Sequence, residues 1–186
     1  MKKIILGVAV LVFAISCKKE NKTIDATPEL VENTAPEIEN STESNNLPEF
    51  STEKMADYLA DKKNDTLYVT NFFATWCGPC MQEIPHFIAK KKELKDQPVK
   101  FTFVSIDEKK DWGTKVVDFA AKNDLAKNIV LLDGQNLDEA FFKNNFQTWD
   151  GSGIPFTIIK KGNKREEIFG FTSEETLNQR INILQK

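Results

Sequence analysis

ATWCGPCMQEIPHF, residues 74–87, holds two cysteines three apart, with Gly78 and Pro79 between them and Trp76 just before. Ahead of it, Thr66 to Phe73 (TLYVTNFF) is β-branched and aromatic and predicts a buried strand. After it, Met81, Ile84, Ile88 and Leu94 recur near helical spacing. A strand running into a helix puts Cys77 at the helix N-terminus and Cys80 one turn inside. Unpartnered N–H groups and the helix dipole favour an anion at that end, which stabilises the nucleophilic thiolate of Cys77. Pro79 suits the first turn, where its missing N–H costs no helical hydrogen bond.

Such a pair could bind metal, exchange disulfides or do neither. Structural zinc takes four ligands, usually a second C-x-x-C or paired histidines. The chain has one histidine, His86, and one further cysteine, Cys17, so no metal site is expected. His86 reads as a surface or satisfied helix histidine. Copper handling stays open, since two thiolates and a methionine hold a soft ion and Met81 adjoins Cys80. A structural disulfide gains most when it closes a long loop, and a pair three apart closes almost none. Redox exchange uses both cysteines and the helix position at once. An exposed Cys77 attacks a substrate disulfide, and a shielded Cys80 resolves the mixed disulfide.

The compartment follows from the start of the chain. Lys2 and Lys3 precede an uncharged, mostly apolar run, Ile4 to Ile15, well short of the roughly 20 residues that span a bilayer. Residues 1–16 read as a secretory signal peptide. Ala14-Ile15-Ser16 before Cys17 resembles the bacterial lipobox, with Ala14 where leucine is more usual. The expectation is lipid attachment at Cys17, which also accounts for the odd thiol; an ordinary signal cleavage is the alternative. Residues 17–46 are rich in Glu, Asn, Thr, Ser and Pro, and after Cys17 hold no aromatic residue. They cannot bury enough apolar surface to order themselves. About 29 such residues make a tether with a reach on the order of 30 Å. Residues 47–186 amount to one domain, and the net charge of -3 has no basic concentration to suggest nucleic acid.

Along that domain the pattern predicts an α/β alternation. A helix over 51–62 precedes the strand 66–73 and the helix 78–94. Then come a strand over 99–106, a helix over 112–122, a short strand over 128–132 and a Phe-rich helix over 137–146. PFTIIK (155–160) and 166–171 read as strands joined by a Gly162-Asn163 hairpin, and Ser173 opens a last helix.

WCGPC (Trp76 to Cys80) after a hydrophobic strand resembles the active-site motif of thioredoxins, and the resemblance runs from about Leu47 to Lys186. Pro85 sits where thioredoxins kink this helix. GSGIPFTII, 151–159, is similar to the family's cis-proline segment, with Ile154-Pro155 as the cis bond. The resemblance implies a thioredoxin fold, a central mixed β-sheet flanked by helices. It also implies that this loop lies beside the cysteines and pairs with substrate through its backbone. Trp76, Gly78, Pro79, Ile154 and Pro155 would then border the substrate groove; Phe156 stands between groove and core. Trp112 and Trp149 carry no motif and are expected to pack.

Two residues resemble a branch. Asn71 stands where cytoplasmic thioredoxins carry a buried Asp, and Glu83 matches an acidic residue of the membrane-anchored TlpA/ResA-type proteins. That resemblance implies proton transfer by Glu83 at the pair; an acid that favours the helix dipole is the plainer alternative. An inserted helix and strand between Asp107 and Leu132 also fit the branch. The resemblance thus implies a lipid-anchored, extracytoplasmic disulfide reductase with Cys77, Cys80 and Glu83 as catalytic residues. Its redox centre is the Cys77–Cys80 disulfide, with no other cofactor. Its partners would be disulfide-bearing exported proteins, apocytochrome c among them, a membrane thiol electron donor and the membrane itself. Oxidase or isomerase action, thiol peroxidase chemistry, copper handling and a non-catalytic binding lipoprotein are the rivals. The chain's only arginines, Arg165 and Arg180, lie far from the pair in sequence, which counts against the peroxidase.

Overall fold

The computed structural model describes residues 46–186, which lie within one compact unit. The signal peptide, Cys17 and all of the tether but its last residue lie outside the described residues. Chain order is β1 (Glu49–Phe50), α1 (Thr52–Leu59), β2 (Leu67–Phe73), α2 (Gly78–Glu93), β3 (Val99–Ser105), α3 (Lys109–Asp111), a π-helical stretch (Trp112–Val116), α4 (Val117–Lys122), β4 (Ile129–Leu132), a 3₁₀ turn (Gly134–Asn136), α5 (Glu139–Asn145), β5 (Phe156–Lys161), β6 (Lys164–Phe169) and α6 (Glu174–Gln185). The expected alternation is there, including the helix and strand between Asp107 and Leu132. The two-residue β1 is new, and residues 109–122 form one helical run with a π stretch inside it.

The strands form a single mixed sheet in the order β1-β4-β3-β2-β5-β6. β1, β4, β3 and β2 run parallel, while β5 and β6 run antiparallel to their neighbours. Alternate side chains leave opposite faces. Leu67, Val69 and Phe73 of β2 join α2 and α6 through Ile84, Phe87, Leu177 and Ile181. Phe72 joins α1 and α5 through Met55, Leu59 and Phe141 on the other face. Helices therefore cover both faces, which is why β2 reads as a continuous apolar run.

Local signals set the helix starts. Ser51, Cys77, Asp138 and Ser173 each occupy an N-cap, with the side chain accepting a first-turn N–H. Pro85 lies inside α2, which continues to Glu93.

The sheet also sets the position of the site. β2 pairs antiparallel with β5, Phe72 opposite Phe156 and Asn71 opposite Thr157. The end of β2 that feeds residues 74–80 therefore lies beside the start of β5, just after Ile154-Pro155. Phe156 belongs to the core: it is fully buried and its ring stacks on Trp149 at 4.5 Å. Trp112 and Trp149 are buried as expected, and each also donates a hydrogen bond, to Asp107 O and Gly153 O respectively, both at 2.8 Å. On α2, Lys90 is buried.

Candidate active site

Cys77 and Cys80 form a disulfide with a Cα–Cα separation of 5.3 Å. Cys77 caps α2, and its Sγ accepts the Cys80 N–H at 3.3 Å. The helix start thus directs a backbone donor at the sulfur that would carry charge in the reduced pair. Cys77 keeps 5% exposure and Cys80 none, so in the disulfide form the contrast in shielding is smaller than expected. Gly78 and Pro79 are exposed beside them.

Across a sequence separation of 77, Cys77 Sγ lies 3.8 Å from the Ile154 carbonyl oxygen. The Ile154-Pro155 bond is cis, with Ile154 half-buried and Pro155 buried. Trp76 is 65% exposed, the most exposed large apolar side chain among the described residues, with Phe169 and Phe171 next. Gly170 N donates to Pro155 O at 2.9 Å, which ties the β6–α6 loop to the proline loop. The Phe169 ring lies 3.6 Å from where a Cβ on Gly153 would sit. No motif pointed to Phe169 or Phe171, because their placement depends on the β5–β6 hairpin register.

Beneath the pair lies a buried polar cluster. Asn71 and Thr157 face α2 on the same side of the sheet as Val69 and Ile159. Asn71 Nδ2 donates to Glu83 Oε1 at 2.7 Å and to Thr157 Oγ1 at 3.0 Å. The Thr172 N–H donates to Glu83 Oε2 at 2.6 Å. Glu83, three residues on from Cys80 and so on its side of α2, is fully buried. Burial raises its carboxyl from the ordinary 4.5 to about 7, against the lowering pull of the Thr172 and Asn71 hydrogen bonds. Asn71 Oδ1 and Thr172 Oγ1 are buried without a hydrogen-bond partner. Among the described residues, no group of three or more His, Cys, Asp or Glu converges as a metal site. Met81 is half-buried against the core, and His86 Nδ1 lies 3.3 Å from Thr172 O.

This burial gives stability a pH dependence of fixed sign. Folded Glu83 keeps its proton to about pH 7, whereas the ordinary carboxyl releases it near 4.5. Between those values the folded state binds more protons, so this contribution is fully present below 4.5 and lost as pH rises towards 7. Relative to Glu83→Gln, the wild type should lose about 3 kcal/mol across that window. Urea denaturation at pH 4, 5.5, 7 and 8 reads the difference; parallel curves would mean that Glu83 ionises in the fold as freely as in water.

The comparisons agree with this geometry. The Redoxin family model matches residues 30–163. The thiol-disulfide oxidoreductase ResA of Bacillus subtilis (strain 168) is 28% identical over 130 residues, 68% of this chain and 65% of ResA. A thioredoxin of Echinococcus granulosus is 43% identical over 53 residues, 28% of this chain and 48% of that protein. The chain therefore spans less than two thirds of the length of either relative. Among solved structures, a thioredoxin-family thiol:disulfide interchange protein from Chlorobium tepidum TLS superposes with a TM-score of 0.53 at 19% identity, over 70% of this chain and 85% of that one. A thioredoxin-related protein from Neisseria meningitidis serogroup B gives 0.52 at 22% identity, over 65% and 86%. At those identities the structures establish a shared thioredoxin-like fold.

Proposed function

The chain belongs to the Redoxin family, as a thioredoxin-like protein of TlpA/ResA type, and on that premise we propose that it is a thiol–disulfide oxidoreductase that reduces disulfides of exported proteins. One observation carries the reading: the Cys77–Cys80 disulfide at the start of α2, with Cys77 Sγ 3.8 Å from the Ile154 carbonyl.

In the reduced protein, the Cys77 thiolate attacks one sulfur of a substrate disulfide. A mixed disulfide forms, and the other substrate sulfur leaves as a thiolate and takes up a proton. Cys80 then passes its proton to the Glu83 carboxylate and attacks Cys77 Sγ. The second substrate thiolate leaves and is protonated, and the Cys77–Cys80 disulfide closes. Two electrons and two protons have reached the substrate. A carboxyl that titrates near 7 can both take and return that proton at neutral pH. Rotation of the Asn71 amide would offer its unpartnered Oδ1 to the protonated carboxyl. Trp76, Gly78, Pro79, Ile154 and Pro155 border the groove that receives the substrate chain.

The sequence supports export and lipid attachment at Cys17, with residues 17–46 as tether. Apocytochrome c fits the substrate class, because its haem-binding cysteines react only when reduced. A membrane thiol donor then returns the electrons. Cys80→Ser tests the mechanism. It should accumulate mixed disulfides through Cys77 that a non-reducing gel resolves and dithiothreitol releases. A variant that turns over like the wild type would sink the two-cysteine scheme.

A further inference from the structure

Asp107 follows β3, is fully buried, and carries a carboxylate that the exchange steps above do not use. The Thr75 N–H donates to both of its oxygens, at 3.1 and 3.0 Å, and Thr75 Oγ1 donates at 2.5 Å. Ser105 Oγ donates at 2.8 Å, and itself accepts the Asp107 N–H at 3.3 Å, so its proton is directed at the carboxylate. Trp112 Nε1 holds the Asp107 carbonyl at 2.8 Å. Every partner of the carboxylate is a neutral donor, and none of the ion pairs among the described residues includes it. A buried charge that is solvated by donors but not cancelled by a cation keeps its field on its surroundings.

Its nearest redox group is Cys77. Thr75 lies two residues before it, and two residues of chain span at most about 7 Å. The carboxylate therefore sits within roughly 10 Å of the Cys77 backbone nitrogen and about 13 Å of its sulfur, and both groups are buried. We infer that Asp107 is a positioning residue for the redox pair: it fixes the turn before Cys77 and opposes the charge of the Cys77 thiolate, which biases the pair towards giving up its electrons. Resting on the oxidoreductase reading, the inference assigns that site its reducing bias. An effective dielectric of about 20 at about 10–13 Å makes the effect on the order of tenfold in the thiolate equilibrium. For a two-electron couple, tenfold is about 30 mV.

The charge acts only on the ionised sulfur, and this gives the inference a signature. Wild type and Asp107→Asn should share a midpoint wherever Cys77 is protonated, a state read in each protein from the pH dependence of its alkylation rate. They should part as pH rises, with the variant about 30 mV less negative at pH 9. Glu83 on α2 and His86 at Thr172 are common to both proteins and cancel in the difference, as do the Lys109–Glu49 and Lys110–Glu108 pairs beside Asp107 in sequence. The segment at 151–156, which approaches Cys77 through the Ile154 carbonyl, and the loop at 169–173 tied to it through Pro155 hold no charged residue.

Equilibration of the full chain in dithiothreitol redox buffers at pH 6, 7.5 and 9, followed by thiol labelling, measures the midpoints. A gap that opens with pH supports the inference. Equal midpoints throughout, or an offset that persists at a pH where the alkylation rate shows Cys77 protonated, overturns it, since damaged packing would act at every pH. Thr75→Val keeps the charge and removes one neutral donor, so its pH 9 midpoint should stay at or below the wild-type value. A rise of about 30 mV in Thr75→Val overturns the inference even if Asp107→Asn does not fold. A wild-type pair that never equilibrates with the buffers overturns the oxidoreductase reading and this inference together.

Discussion

Cys77→Ser is expected to cut disulfide exchange by at least about a thousandfold, to the rate of the donor dithiol alone. Cys80, one turn inside α2 and fully buried, cannot meet a substrate disulfide in its place. A serine hydroxyl at the α2 N-cap still accepts the Cys80 N–H, so the helix start should survive. The loss would then be chemical, with the thermal midpoint within a few degrees of the reduced wild type. Insulin reduction, followed by turbidity, measures the rate. Residual activity above one tenth of wild type would assign the nucleophile elsewhere and remove the basis of the proposed mechanism.

The second large effect falls on stability. Phe156→Ala should cost about 3–5 kcal/mol, the range for truncating a buried aromatic ring. Phe156 is fully buried, stacked on Trp149 with 12° between the planes and edge-on to Phe146 at 5.1 Å. Those rings come from the loop after α5, so little near them can relax into the space. Phe156→Leu should cost less, because it fills more of the same volume. Urea denaturation reads both. A loss under 1 kcal/mol for the alanine would show that the aromatic cluster collapses around the gap. Phe156 directly follows Pro155, so the same truncation should also weaken protein-substrate reduction more than reduction of a small disulfide.

Much of this was legible from local pattern. β2 and α2 follow from TLYVTNFF and the apolar spacing after Gly78, and both caps are single residues, Cys77 and Ser173. What escaped depends on register across the sheet. Phe156 could have faced substrate or core until its pairing with Phe72 fixed its side. From its own neighbours Glu83 reads as an acid that favours the helix dipole, unless Asn71 and Thr172, about a hundred residues apart, are known to donate to it and Thr157 to hold Asn71. Asp107 looks like a strand terminator, and only the folded chain brings Thr75 onto it. β1 is too short to carry any alternation.

The sheet's margins carry one more consequence. β1 and β6 are its outer strands, and an open strand edge invites any extended chain to add to it. One margin is only two residues long, and the other carries Lys164, Arg165, Glu166 and Glu167 in succession. Under the proposed function the substrates include exported chains that have not yet folded, and these present extended segments. Both margins are poor templates for them, so on that proposal a client held at its sulfur would be released without being stitched into a growing aggregate.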